Sequence, residues 1–212
     1  MTSRFFRPAV ADDAASLAEL MYLADQAHYS TSGYAVSIGG SREHQLAELA
    51  KLAQAGARSQ FHYSHFDVAV SDDGAIAASV AGFDRQQTAA QTGNALEEIG
   101  WDASALEALA GRIGPLGDTF PEEEPGAWTI EHVATLPQYR GQGLARRLLE
   151  RVLARGAAQG FARACVDVFS GNHKAHALYE AAGFRQVATF GHESLRRILG
   201  RDPLIRMMRP LG

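Results

Sequence analysis

The chain lacks most of the features that announce a chemistry. It has a single cysteine among 212 residues, so no disulfide can close within it, and Cys165, set in a Val/Ala-rich segment, reads as a small buried apolar residue rather than a nucleophile. That usage suits a reducing compartment, and a cytoplasmic protein is the expectation. No apolar run approaches the length of a membrane helix, and Met1 to Pro8 has no apolar centre of the kind a secretory signal needs, so no membrane partner is expected. Lys and Arg total 20 against 24 Asp and Glu, a net charge of −4, which supplies no basic stripe for nucleic acid. There is no Gly-x-Ser-x-Gly elbow, no Cys–His pairing and no zinc signature. His62-x-x-His65 and His173-x-x-His176 have helix-compatible spacing without a third ligand, so no metal is expected. At 46% hydrophobic, with no repeat and no long linker, residues 1–212 read as a single domain.

What is present is an alternation of short apolar runs and amphipathic stretches. Arg4 to Arg7 reads as a strand stopped by Pro8, with Asp12, Asp13 and Ser16-x-x-Glu19 as caps for a helix striped by Leu17, Leu20, Met21 and Ala24. Residues 28–40 are too polar and glycine-broken for a long helix. Ser41 can cap the next one, with Leu46, Leu49, Leu52 and Ala53 inward and Gly56 at its end. Phe66–Val70 and Ala75–Phe83 flank Asp-Gly, a hairpin signal. Residues 84–126 are long for a connection, and Leu96, Ile99, Leu106, Leu109 and Ile113 point to one or two helices before Gly114-Pro115. Pro121-Glu-Glu-Glu-Pro125 is a solvated turn or, on the sharper reading, a lure for a cationic acceptor.

The segment Arg140-Gly141-Gln142-Gly143-Leu144-Ala145 lies between the apolar run Trp128–Thr135 and an amphipathic helix over Leu144–Gln159. Two glycines let the backbone approach a ligand, and the first helical turn offers unpaired N–H groups and a partial positive charge to an anion. It lacks the Lys-Ser/Thr ending of a nucleoside triphosphate loop and the third glycine of a dinucleotide fingerprint. Downstream, Ala164–Phe169 reads as a buried strand, followed by Ser170-Gly-Asn172, a helix from His173 to Ala182, and Gly183-Phe184. Arg185–Phe190, a helical turn over Ser194–Leu199 and a final strand over Leu204–Met208 complete the chain.

The order Arg-x-x-Gly-x-Ala at 140–145, Asn172, then Ala-Leu-Tyr-Glu-x-x-Gly-Phe ending at Phe184 resembles the GCN5-related N-acetyltransferase (GNAT) superfamily, over about Trp128 to Phe190. The resemblance implies an α/β fold (α+β by some conventions), a mixed, mostly antiparallel sheet flanked by helices, here with a helical insertion at 84–126. It implies acetyl-CoA as acyl donor, held between the Trp128–Thr135 and Ala164–Phe169 strands. Pantetheine would pair with the backbone of Val133, Ala134 and Thr135, and the pyrophosphate would sit on Arg140, Gly141, Gln142, Gly143, Leu144 and Ala145. Asn172 is either a cofactor contact or a helix N-cap. Arg146, Arg147 and Lys174 could reach phosphates, whereas Arg151 and Arg155 read as an ordinary solvated helix face.

Acyl transfer to an amine requires a base for the ammonium and an acid for the departing thiolate. Tyr179 matches the family tyrosine that can protonate the thiolate, with a core aromatic as the competing reading. Glu131 is the first candidate base, then Asp167, then His132. Strict alternation places Glu131 with Thr129, Val133 and Thr135, opposite His132. The main-chain N–H near Val133 is the natural oxyanion donor. The expected reaction is direct attack by a small-molecule or peptide amine in a ternary complex. A noncatalytic acyl-CoA sensor is the alternative, and transfer of a longer acyl group or to oxygen is a third reading. By analogy of position, His28, Tyr29, Tyr34 and His192 could shape the acceptor pocket, and the exposed apolar edge and the insertion leave room for a homodimer.

Overall fold

The computed structural model describes residues 5–191, 193 and 195–212, so Arg4, His192 and Ser194 of the expectations above lie outside the described residues. β1 (Phe5–Pro8) ends on its proline, and α1 (Ala14–Gln26) buries Leu17, Leu20 and Met21. Asp13 does not cap α1 with its side chain. It accepts two hydrogen bonds from Arg7, at 2.6 and 2.8 Å, and one from the Val10 N–H at 2.8 Å, so it fastens the strand to the helix entry. α2 is a single turn (Tyr34–Ser37), and α3 (Arg42–Gln54) starts where the Ser41 hydroxyl accepts from the His44 N–H. β2 (Phe66–Val70) and β3 (Ile76–Asp84) form the hairpin that Asp-Gly signals, with Gly74 at φ 83°.

The long connection folds as α4 (Arg85–Glu98) and α5 (Ala103–Ile113), whose first turns are capped by Asp84 and Asp102, followed by a 3-10 segment over Gly114–Thr119. Two helices are what those apolar positions point to; Leu96 is buried with Ile99, Leu106 and Leu109 packed around it, while Ile113, the last residue of α5, faces solvent at 39% exposure. Next come β4 (Ala127–Thr135), α6 (Leu144–Ala158), β5 (Arg163–Phe169), α7 (His173–Ala181), β6 (Arg185–Phe190), a π-helical turn over Leu195–Leu199 and β7 (Leu204–Pro210).

The seven strands make one sheet in the order β1-β2-β3-β4-β5-β7-β6, antiparallel at every step except the parallel β4/β5 pair. α6 covers one face through Leu144, Leu148, Leu149, Val152 and Leu153, each worth on the order of 1.5–3 kcal/mol when fully buried. α1 and α3 cover the other face around Phe66, Leu49 and Met21. The inserted helices pack outside α3 as a satellite cluster of Leu52, Ala95 and Leu96. Among the described residues, no helix is long and apolar enough to cross a membrane.

Arg151 and Arg155 depart from their expected solvated face. Both donate to the carboxylate of Asp67, which is only 3% exposed, and Arg155 also donates to the carbonyls of His65 and Gly82. The regular four-residue spacing of these arginines therefore marks where α6 is bolted to β2 and β3.

Candidate active site

β4 and β5 pair only through Ala127–Thr129 against Arg163–Cys165. Beyond that point the two strands part. A bulge in β4 accompanies the parting: the register against β3 shifts between Ser79 and Ala81, and His132 takes φ 50°, which a non-glycine residue seldom adopts. The Ser79 hydroxyl donates to the displaced His132 carbonyl at 3.2 Å.

The extra residue overturns the simple alternation. Glu131 and His132 fall on the same side: the His132 ring stacks on Phe66 (5.5 Å, 17°) and lies 5.7 Å from Phe61, and its Nε2 is 3.7 Å from the Glu131 carboxylate. Val133 instead packs with the α6 cluster, and Ala134 returns to the α1 cluster.

The parted strands border a cavity of about 570 Å³ whose wall includes Glu131, His132, Val133, Asp167, Asn172 and Tyr179. Tyr179 is the one fully buried position of α7, set edge-on to Phe184 at 5.8 Å. Burial pushes its phenol well up from the ordinary value, and among the described residues its hydroxyl makes no hydrogen bond. The Tyr179 ring belongs to the core, as the competing reading expects, and it also borders the cavity.

Both candidate carboxylate bases carry an arginine partner that the sequence did not disclose. Glu131 is in an ion pair with Arg85, the first residue of α4, and Asp167 is held by Arg206 of β7 in a two-pronged contact at 2.9 and 2.9 Å. Burial pulls the Arg85 guanidinium down from its ordinary value against the raising pull of Asp167, while the Asp167 hydrogen bond pushes Arg206 up. His132 is buried enough to lower its pKa to about 3, with Arg85 adding to the shift, so it is a neutral imidazole at neutral pH. Arg85, Arg206 and Phe61 are site residues that the sequence reading missed. Ion pairs between distant segments leave no periodic trace.

The acidic run lies on the cavity wall, not away from it. Glu123 and Glu124 border the opening, the Glu122 carbonyl accepts from Arg206 at 2.8 Å, and Glu124 pairs with Arg163 and Arg206 at 3.0 and 3.5 Å. Of the residues named for an acceptor pocket, Tyr34 borders the cavity and is buried, which raises its phenol well above the usual value. Tyr29 and His28 instead gather on Asp202, at 2.9 and 3.2 Å. Cys165 is buried, and desolvation pushes its thiol up, as befits a packing residue.

Thr135 and the Arg140–Ala145 turn lie beyond the cavity wall, linked to each other by the Arg140 Nε donating to the Thr135 carbonyl at 3.2 Å. Gly141 and Gly143 hold φ of 75° and 73°, and a Cβ built on either would meet nothing within 4 Å. Among the described residues, no backbone carbonyl accepts from the N–H groups of residues 141–146, and no side chain caps α6. A row of open donors at a helix N-terminus with nothing crowding it fits a pyrophosphate. Asn172 does cap α7, its Oδ1 accepting from the Ala175 N–H at 3.3 Å, while also bordering the cavity.

The family model described as "Acetyltransferase (GNAT) family" matches residues 37–184. A curated relative, the [ribosomal protein bS18]-alanine N-acetyltransferase of Escherichia coli K12, is 35% identical over 84 residues, covering 40% of this chain and 56% of the relative. The chain spans about half the length of the curated relatives it matches. Among solved structures, an N-acetyltransferase from Staphylococcus aureus Mu50 superposes with a TM-score of 0.72 at 16% identity, covering 97% of this chain and 100% of that one. A GNAT superfamily phosphinothricin acetyltransferase from Sinorhizobium meliloti, in complex with AcCoA, gives 0.57 at 16%, covering 99% and 89%.

Proposed function

Because the chain belongs to the Acetyltransferase (GNAT) family, we propose that it is an acetyl-CoA-dependent N-acetyltransferase, moving an acetyl group to a primary amine of a small molecule or peptide by direct attack in a ternary complex. The observation that carries this reading is the parting of β4 and β5, which puts Glu131 and Tyr179 on one cavity below a glycine turn with open donors. The E. coli relative is named for an alanine amine, and the S. meliloti neighbour holds AcCoA, both consistent with it.

Acetyl-CoA supplies an activated thioester. The chain's own groups do the rest. The N–H groups from Gly141 to Ala145 hold the doubly charged pyrophosphate. Backbone groups of Val133, Ala134 and Thr135 pair with the amides of the pantetheine arm as an added strand would, and Asn172 borders the same arm. The N–H near Val133 faces the charge that develops on the thioester oxygen.

An amine with a pKa of roughly 10 arrives protonated and must lose a proton before it attacks. Glu131 takes that proton, directly or through a water, and its ion pair with Arg85 orients the carboxylate; Asp167 is the second choice, held by Arg206 in a two-pronged contact. As the new C–N bond forms and the C–S bond breaks, the thiolate is met by the Tyr179 hydroxyl. Burial keeps that phenol protonated, which is the state able to donate.

Incubation with acetyl-CoA and a panel of amines, reading free thiol, tests the proposal. Tyr179→Phe is expected to lower kcat by about a hundredfold, the usual size of a lost acid–base group, with CoA affinity little changed. Parent-like turnover in that variant removes Tyr179 from the mechanism, and trapping of an acetyl-enzyme without acceptor removes direct attack.

A further inference from the structure

Five carboxylates border the cavity: Asp25, Glu123, Glu124, Glu131 and Asp167. Four of them have a guanidinium each. Arg201 approaches Asp25 at 4.0 Å, Arg163 holds Glu124 at 3.0 Å, Arg206 holds Asp167 at 2.9 Å, and Arg85 pairs with Glu131. Glu123 is left over. Among the described residues it has neither hydrogen bond nor ion pair, only a longer-range attraction to Arg85.

An independent observation on the same wall also points to a ligand. The His132 side chain is 9% exposed and its Nε2 has no hydrogen-bond partner among the described residues, although it borders the cavity beside Glu131. A buried polar atom left without a partner costs on the order of 1–3 kcal/mol unless something from outside the chain meets it. The ring is neutral, so it can accept from an N–H donor without adding positive charge.

The size of the acceptor is set by the chain around the cavity. Arg112 of α5 donates to the carbonyls of Val36 and Ser37 at 2.9 and 3.0 Å, so the inserted segment and α2 are tied together. Both contribute to the wall, through Phe120 and Tyr34. That tie favours a slender molecule entering end-on over a polypeptide lying across the site.

We propose that the acceptor is a small linear diamine or polyamine, with its reactive nitrogen between Glu131 and the His132 Nε2 and its distal ammonium at Glu123. This deepens the N-acetyltransferase reading and rests on it. Glu123 and Glu131 border the same cavity, with Arg85 paired to Glu131 between the acidic run and β4, so one short linear molecule in that cavity can meet both carboxylates.

Three amines of equal reach isolate the charge: 1,4-diaminobutane, 1-aminopentane and 4-aminobutanoate, positive, neutral and negative at the far end. With acetyl-CoA saturating, kcat/KM is expected to be at least about tenfold higher for the diamine than for the monoamine, within the range of electrostatic focusing, and lowest for the amino acid. Glu123→Gln should narrow the diamine advantage several-fold, while Glu122→Gln, on the same run but off the wall, should leave it intact. Equal rates for all three amines, or a preference for 4-aminobutanoate, overturn the proposal. Calorimetric titration of the same amines into the CoA complex reads the preference without turnover. If no amine releases thiol, the acetyltransferase reading fails, and the order of affinities still decides the charge preference.

Discussion

His65 and His132 show how much a single buried side chain commits the molecule to a range of conditions. Burial lowers their pKa values to about 4 and about 3, from an ordinary 6.5. The folded state thus binds fewer protons than the unfolded chain once the pH drops below 6.5. Stability is unaffected by these rings above that value and is lost progressively as pH falls toward 4 for His65 and 3 for His132. Between about pH 7.5 and about pH 5 the loss is on the order of 2 kcal/mol per ring. Urea unfolding at the two pH values should show it, and His132→Phe, which keeps the stack on Phe66, should remove about half. An undiminished loss in that variant means that other groups set the acid sensitivity. The same residue explains why the bulge matters: with φ 50°, His132 is carried to the side of Glu131, where a regular strand would have separated them.

At the scale of elements, α6 is positioned by two devices. The Trp128 indole donates to the Val152 carbonyl at 3.0 Å and lies against Gly82 and Gly156, where an added Cβ would come within 2.6 Å of the ring. Asp67 gathers Arg151 and Arg155 from two successive turns. Asp67→Asn, which removes the buried carboxylate that half-buried Arg155 and exposed Arg151 share, is expected to cost about 1–3 kcal/mol, the usual range for losing a charged hydrogen-bond partner. Chemical denaturation measures it; a change below about 1 kcal/mol would return these arginines to the category of a solvated face. Elements defined by local signals were legible in the sequence. Asp-Gly gave the β2/β3 hairpin, Ser41 the start of α3, and the paired glycines the entry to α6. The bulge was not legible, because one inserted residue leaves no mark on an apolar run already too short to establish its own period. Nor were Arg85 and Arg206, whose partners come from other strands. The reading of Glu131, Asp167, Asn172 and Tyr179 as neighbours came from motif order, and the fold places all four on one cavity wall.

Across the whole molecule, the long connection between β3 and β4 ties together parts that the sheet alone does not join. It adds a satellite core beside α3, is fixed there by the Trp101 indole donating to Glu48 at 2.6 Å, and reaches α2 through Arg112. The sheet it overlooks is continuous at one end of the β4/β5 seam and open at the other. That open seam has a thermodynamic consequence. Backbone groups of β4 beyond Thr129 have no strand on the β5 side, so a ligand that pairs with them adds to the sheet in the folded state and has nothing equivalent to bind in the unfolded one. Folding and CoA binding are then a single linked equilibrium, with stability rising by about 2.7 kcal/mol at a hundredfold excess over Kd. Thermal unfolding across a CoA titration should rise without a plateau at saturation of the site, and amide exchange should slow at Val133–Thr135. Under the proposed function, the donor would itself complete the open side of the sheet, so ligand-free and CoA-loaded protein should differ in stability and not only in activity.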